Sequence, residues 1–407
     1  MSSEISPLLP SQNHPSTSSF PVRISALFKA EGEPTWSQSF IFYTFGSYLN
    51  ILLCFIPLSF LSHHLQWDAA LRFTFSFMAI IPLARLIGVS TEELSVKMGS
   101  TWAGLLNASF GNAVEIIVGV AALLQDQLRI VQTSMLGSIL SNILLVLGCS
   151  FFAAGIRYEE SVFGQTAAQA SSSLMTLACI TMIIPAAYYS TQDGDTSAKP
   201  GLLVISRGTA ILLLFVYIAY LWFQLKTHTK LFQHGEPNDE SSDNTASPYE
   251  ESEVANMNTV AAGTSLVVVT VVTSFCADYL VASIEETAER YHIPKAFIGL
   301  ILLPIVANAA EHLTAVWMAL KNRMELTIGI CVGSSIQIAM LVVPLLVIVG
   351  WITNHDMTLF FANFETIAFF VSIFLVNTLI QDGKSNYMEG LMLITLYLVI
   401  ALAFWVS

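Results

Sequence analysis

The sequence predicts an all-α, polytopic membrane protein of eleven transmembrane helices: one N-terminal span followed by two inverted five-helix repeats. Three observations predict it. Hydrophobic residues make up 54% of the 407 and charged residues only 11%. That is less than half the ~25% of a soluble domain, so the chain lacks the polar surface to face water on every side. Eleven apolar stretches come near the ~20 residues a helix needs to cross a bilayer core, and they do not alternate as barrel strands do. Two short polar motifs inside those stretches recur at one fixed offset in the two halves.

Taken in order, residues 1–39 are rich in Ser and Pro and are expected to form a disordered cytosolic tail without a cleavable signal peptide. Within it "EISPLLP" sets Glu4 ahead of Leu8 and Leu9, the spacing of an acidic dileucine signal read by a sorting adaptor. The first transmembrane helix is placed at 40–62. The first five-helix repeat covers 69–224, with spans near 69–89, 102–124, 130–154, 165–188 and 202–224. The second covers 259–406, with spans near 259–284, 296–320, 326–352, 357–380 and 387–406.

Residues 225–258 separate the repeats as an acidic cytosolic linker. Seven acids lie there, Glu236, Asp239, Glu240, Asp243, Glu250, Glu251 and Glu253, and "SPYE" at 247–250 has the form of a capping box that starts a helix. Two readings stand: a solvated linker, or a regulatory acidic helix gathering cations at the cytosolic mouth. With the N-terminus cytosolic, the inside loops hold nine Lys or Arg and the outside loops six, the direction of the positive-inside rule. The net charge of −13 excludes a nucleic-acid partner. The five cysteines, all in apolar segments without paired spacing, read as small core residues.

The repeat rests on "FGNAVEIIVGV" at 110–120 and "VANAAEHLTAV" at 306–316. Asn112, Ala113 and Glu115 match Asn308, Ala309 and Glu311, 196 residues on. At the same offset "GSILSN" (137–142) aligns with "GSSIQI" (333–338), so Gly137 and Ser138 match Gly333 and Ser334, and Gln337 falls where Ser141 stood. The glutamates lie on the third and eighth spans. An odd separation of five reverses direction in the membrane, which makes the repeats inverted, a recurrent plan for secondary transporters. Pro82 and Pro304, with Gly99, Gly104 and Gly111, are the residues suited to break helices there.

Asn and Glu three apart share a helical face in both motifs. Ser134, Ser138 and Ser141 share one in the partner span, as do Ser334 and Gln337. Intramembrane acids are costly and mark ion pathways, so Glu115 and Glu311 are read as ion ligands; for Ser134, Ser141 and Asn142, plain helix packing weighs equally. Two carboxylates facing neutral oxygens suit a hard divalent cation such as Ca²⁺, and the lack of soft ligands argues against Cu or Zn. His312, next to Glu311, is read either as a packed residue or as a proton carrier. Glu92 and Glu93 at the end of the second span, and Asp278 deeper in the seventh, are the candidate vestibule and proton-path acids.

"GNAVE" followed by "VQTSMLGSILSNILLVLG", with "ANAAEH" followed by "GSSIQIAMLVVP", resembles the vacuolar Ca²⁺/H⁺ exchangers of fungi and plants, the CAX family of cation/Ca²⁺ antiporters. The resemblance runs from about residue 45 to the C-terminus. It implies that Glu115 and Glu311 are the central acids, that Asn112, Asn308, Ser138, Ser335 and Gln337 surround the ion, and that Glu92 and Glu93 serve a vestibule. Ala307 departs from the Gly usual in the second motif.

The expectation is therefore a non-enzymatic antiporter without cofactor, in a vacuolar membrane, exchanging cytosolic Ca²⁺ for lumenal protons. A carboxylate in low dielectric is held either protonated or paired with a cation, so protons and Ca²⁺ compete for Glu115 and Glu311. The alternatives are an antiporter of the same plan preferring Mn²⁺ or a monovalent cation, and a cation channel. An intramembrane hydrolase lacks the aspartyl pair or Ser-His dyad it needs. Assembly into a homo-oligomer is left open by the sequence.

Overall fold

The structure is a computed structural model that describes residues 34–96, 98, 100–191, 198–228 and 255–406. The dileucine residues Glu4, Leu8 and Leu9 and all seven linker acids lie outside the described residues.

The described chain is almost wholly helical. Among the described residues the one strand pairing is the two-residue antiparallel contact of β1 (Ser161–Val162) with β2 (Lys384–Ser385). Helix α1 (Trp36–Phe45) is started by a capping box between Thr35 and Gln38, so this helix begins inside the stretch expected to be tail. Beyond Gly46 the chain turns by 89° into α2 (Tyr48–His64). Then follow α3 (Ala69–Ser95), α4 (Ser100–Phe110), α5 (Ala113–Leu124), α6 (Leu128–Arg157), α7 (Gln165–Ser190) and α8 (Pro200–Thr227). After the linker come α9 (Thr259–Tyr291), α10 (Lys295–Ala307), α11 (Ala309–Leu320), α12 (Met324–Ile352), α13 (Asn363–Leu379) and α14 (Tyr387–Val406).

Among these, seven helices are long and apolar enough to cross a membrane, or up to ten when each bent pair (α1–α2, α4–α5, α10–α11) counts as one span. Helix α13 is a shorter apolar helix. Of the residues expected to break helices, Gly111 lies in the break between α4 and α5, Gly104 lies inside α4, Gly99 lies outside the described residues, and the breaks do not fall at Pro82 or Pro304. Pro82 lies inside α3 and Pro304 inside α10, while the chain bends by 40° between α4 and α5 and by 58° between α10 and α11. Both bends fall on the asparagines of the repeated motif.

Local geometry also repeats at the motif's spacing. Helices α5 and α11 both have 12 residues. Each is followed by a left-handed residue, Asp126 and Asn322, types that tolerate positive φ through local hydrogen bonding. Helices α6 and α12 then start at Leu128 and Met324 and carry wide, π-helical turns over Ser141–Val146 and Ile338–Val342.

Burial sorts the helices into centre and rim. In their most apolar stretch α6 and α12 are 67% and 61% buried, against 28% for α8 and α14, so the first pair forms the middle and the second faces outward. The α6–α10 crossing is close at backbone level: a Cβ on Gly137 would lie 2.1 Å from the Leu300 carbonyl oxygen, and one on Gly299 would lie 2.0 Å from Thr133 Oγ1. Small residues let membrane helices approach in this way.

Helices α3 and α9 run antiparallel along each other. At one end Asp68 pairs with Arg290 and Arg72 with Glu286; at the other Glu93 meets Asn256 and Met257. All five cysteines are free; Cys179, Cys276 and Cys331 are buried, whereas Cys54 is exposed and so is not a core residue.

Candidate cation site

The bends put Asn112 and Asn308 at the N-caps of α5 and α11, and Glu115 and Glu311 in the first turns. A carboxylate there meets the positive end of the helix dipole and unpaired backbone N–H groups, which favours an acid at that depth of an apolar bundle. Glu115 is 3% exposed and Glu311 partly exposed. The two carboxyls are close enough to act on each other electrostatically.

Glu311 heads a continuous hydrogen-bonded chain. Asn142 Nδ2 donates to Glu311 Oε2 at 2.9 Å and lies 3.0 Å from Ser334 Oγ. Ser334 Oγ in turn lies 2.9 Å from Asn112 Oδ1 and 3.1 Å from Glu311 Oε2. Asn112 Nδ2 donates to Gln337 Oε1 at 2.6 Å. This joins the first motif to the second half of the chain and the second motif to α6. A serine hydroxyl has one proton, so Ser334 donates to one of these two oxygens, Asn112 Oδ1 or Glu311 Oε2, at a time.

Glu115 has different company. With Ser134 and Ser138 of α6, Pro304 and Ala307 of α10, and Ile80 and Leu280 of α3 and α9, it lines a cavity of about 10 Å³, room for about one water. Asn308 Nδ2 donates to the Ser138 carbonyl at 3.1 Å. The side-chain oxygens of Asn308 and Asn142 are buried without a hydrogen-bond partner among the described residues. Buried acceptors are nearly always satisfied, so these two amide oxygens are exceptions within the motif region.

The remaining expected residues divide. Ser335 is buried, but its hydroxyl donates back to the Cys331 carbonyl at 2.8 Å, so it is turned along its own helix and not into the cluster. Ser134 likewise donates to the Val131 carbonyl at 3.1 Å, though it also borders the Glu115 cavity. His312 is half-buried and takes no part in the chain of bonds above. Asp278 is not deep: it is exposed and accepts from Gln125 Nε2 at 2.6 Å. Gln125 caps α5 ten residues beyond Glu115, a rise of roughly 15 Å.

Glu92 is exposed and acts electrostatically on Arg85. Glu93 is buried, with its carboxylate bonded to the approach of α9, so it does not line an open vestibule. Asn142, for which the sequence weighed helix packing equally with a site role, is bonded to Glu311. Its counterpart at the repeat offset is Ile338, so a comparison of halves does not find it; its Asn identity inside an apolar run was the available signal. Among the described residues no three His, Cys, Asp or Glu side chains gather to hold a metal, so the cluster is two carboxyls with neutral amide and hydroxyl oxygens.

Two broken helices whose motif residues meet across an apolar bundle, with acids at the breaks, define an ion-exchanging membrane transporter. The sequence profile described as sodium/calcium exchanger protein matches residues 68–226 and 262–406, and the chain belongs to that family. It is 45% identical over 360 residues to the vacuolar calcium ion transporter of Schizosaccharomyces pombe, covering 88% of this chain and 85% of that one. It is 40% identical over 364 residues to vacuolar cation/proton exchanger 3 of Oryza sativa subsp. japonica, covering 89% and 86%. Among solved structures it resembles native YfkE, with a TM-score of 0.73 and 34% identity, covering 88% of this chain and 100% of that one.

Proposed function

We propose that the protein is a Ca²⁺/H⁺ antiporter of a vacuolar membrane, in which Glu115 and Glu311 hold either Ca²⁺ from the cytosol or protons from an acidic lumen. The observation that carries this reading is the cluster itself: two membrane-depth carboxyls, buried amide and hydroxyl oxygens, and two orphaned amide oxygens on Asn308 and Asn142. Hard oxygens in that number suit Ca²⁺. The names of the relatives, a calcium transporter and a cation/proton exchanger, agree with it.

On this reading the oxygens that touch the ion come from Glu115, Glu311, Asn112, Asn308, Asn142, Ser138 and Ser334, with Gln337 holding Asn112 in place. Coupling follows from charge. An empty, doubly ionised site leaves uncompensated buried charges costing several kcal/mol each, so the site reorients only when loaded with Ca²⁺ or with protons.

Eleven crossings account for the helices: seven long ones, three bent pairs and α13. The end contacts agree with alternating crossings, since β1–β2, Glu93–Asn256 and Asp68–Arg290 each join loops that such a count puts on one face. The matching breaks, left-handed residues and wide turns support two repeats, and the span count makes them inverted. On the positive-inside argument the linker and N-terminus are cytosolic, and Asp278 lies toward the lumen.

Reconstitution in acid-loaded liposomes tests the proposal. Wild-type protein is expected to take up Ca²⁺ in proportion to the proton gradient and to stop on uncoupling. Glu115→Gln and Glu311→Gln, which keep shape but remove the titratable charge, are each expected to fold and to abolish uptake. Proton-driven Ca²⁺ uptake at the wild-type rate in either variant refutes the assignment. Uptake of Mn²⁺ or a monovalent cation in preference to Ca²⁺ moves the cargo, and uncoupled flux makes the protein a channel.

A further inference from the structure

The carboxylate of Glu93 is fully engaged. Its Oε2 accepts from the backbone N–H groups of Asn256 at 2.8 Å and Met257 at 3.0 Å, and its Oε1 accepts from Asn256 Nδ2 at 3.1 Å. Glu93 is 8% exposed. A cation-gathering acid needs open oxygens, and three of the roughly four acceptor places of this one are filled. Its neighbour Glu92 is exposed instead.

What Glu93 holds is the approach to α9. Met257 is 1% exposed and packs with Ala261 and Ala262 against Phe42, Tyr43, Val89 and Leu94 of α1 and α3. Asn258 caps α9 by accepting from Val260 at 2.9 Å, and its own N–H donates to Ser39 Oγ of α1 at 3.0 Å. The far ends of α3 and α9 are tied by the Asp68–Arg290 and Arg72–Glu286 pairs. The two helices are therefore fastened at both ends, and each borders the Glu115 cavity through Ile80 and Leu280.

We propose that Glu93 is a positioning residue that fastens the first turn of α9 to the end of α3, so that the two helices move as one body during exchange. The proposal rests on the exchange reading for its transport consequence, but the fastening itself is measurable without transport. Glu93→Gln removes the charge yet keeps an acceptor for the two backbone N–H groups, and the Asn256 amide can flip to meet the new NH₂. Glu93→Ala removes the acceptor. A clasp and a cation-gathering acid thus respond differently to the same two variants.

The test uses full-length protein in liposomes, with amide hydrogen exchange at Asn256 and Met257 and with Ca²⁺ uptake measured at two ionic strengths. Glu93→Ala is expected to lower protection of both amides at least tenfold and to reduce maximal uptake severalfold, with the KM for Ca²⁺ changed less than twofold. Glu93→Gln is expected to restore both protection and rate. Met257→Ala, which empties the apolar socket, is expected to move protection and rate in the direction of Glu93→Ala, and it supplies the comparison where Glu93→Ala fails to fold.

Three outcomes overturn the proposal. Unchanged protection in Glu93→Ala means there is no clasp. Lost protection with full maximal uptake means the clasp does not serve exchange. A KM raised equally by Gln and Ala, and more so at low salt, means Glu93 gathers cations. Absence of Ca²⁺ uptake in the wild-type protein refutes the exchange reading and leaves the amide measurement standing.

Discussion

Replacing Gly333 with alanine tests whether the two halves of the molecule exchange packings. Gly137 and Gly333 occupy equivalent places in the repeat, yet their surroundings are opposite. A Cβ on Gly137 would lie 2.1 Å from the Leu300 carbonyl oxygen, and one on Gly333 meets nothing within 4 Å. Helix α10 sits directly on α6. Its counterpart α4 packs instead toward Leu225 of α8, where a Cβ on Gly104 would lie 2.6 Å from the leucine side chain. On the inverted-repeat reading the other state closes α4 over α12 and opens α10 from α6, so Gly333 then receives a backbone as Gly137 does now.

An added methyl is therefore free in the present packing and overpacks the other by roughly 1–3 kcal/mol. That shifts the balance between states by roughly 5- to 150-fold and slows exchange by a like factor when reorientation limits it. Gly137→Ala is the mirror experiment and is expected to destabilise the present packing instead. The assay is Ca²⁺ exchange in liposomes, with thermal stability as control: Gly333→Ala slows exchange at unchanged melting temperature, whereas Gly137→Ala lowers the melting temperature. Wild-type exchange in Gly333→Ala, and again in Gly333→Val, refutes the closing of α4 on α12.

Three further outcomes are expected. Asn142→Leu removes the donor to Glu311 and Ser334 and is expected to cut Ca²⁺ uptake at least tenfold while Asn142→Gln retains part of it; full activity in the leucine variant removes Asn142 from the site. Arg129 pairs with Glu365, which is 1% exposed, so Arg129→Ala strands a buried acid at about 1–3 kcal/mol, discounted for the half-exposed arginine. It should lower the melting temperature by several degrees, whereas loss of the exposed Lys384–Glu160 pair should not move it. Neutralising the seven linker acids between Glu236 and Glu253 is expected to change the apparent Ca²⁺ affinity and not the maximal rate; an unchanged Ca²⁺ dependence at every ionic strength makes the segment a plain linker.

The central acids were legible because few physical reasons put a glutamate in an apolar run, and fewer put two there at one offset. The break positions were less so. Gly111 marked one of them, but Pro82 is accommodated within α3 and Pro304 within α10, and the second bend falls at Asn308. Long-range partners were not legible at all. The N–H groups that occupy Glu93 lie more than 160 residues away in sequence, and composition at a helix end does not distinguish a clasp from a solvated acid. The hydroxyl of Ser335 returns to its own helix, an option open to any helical serine.

Asn142 shows the limit of arguing from a repeat, and it bears on how the site divides its work. The second motif's glutamate belongs to a hydrogen-bonded chain, Gln337–Asn112–Ser334–Glu311–Asn142. The mirror chain would read Ser141–Asn308–Ser138–Glu115–Ile338. Its last member has no polar atom to donate, and Ser141 has a shorter reach than Gln337. The mirror bonds are accordingly missing: Asn308 turns its amide N–H to a backbone carbonyl, its oxygen is left without a partner, and Glu115 borders a cavity. Two substitutions thus make a symmetric framework into an asymmetric site. One carboxyl accepts from side-chain donors; the other borders a cavity. On the exchange reading, Glu115 with Asn308 and Ser138 is the half that must gain its partners from the cation, and Glu311 is the half whose carboxyl oxygen already has donors from Asn142 and Ser334.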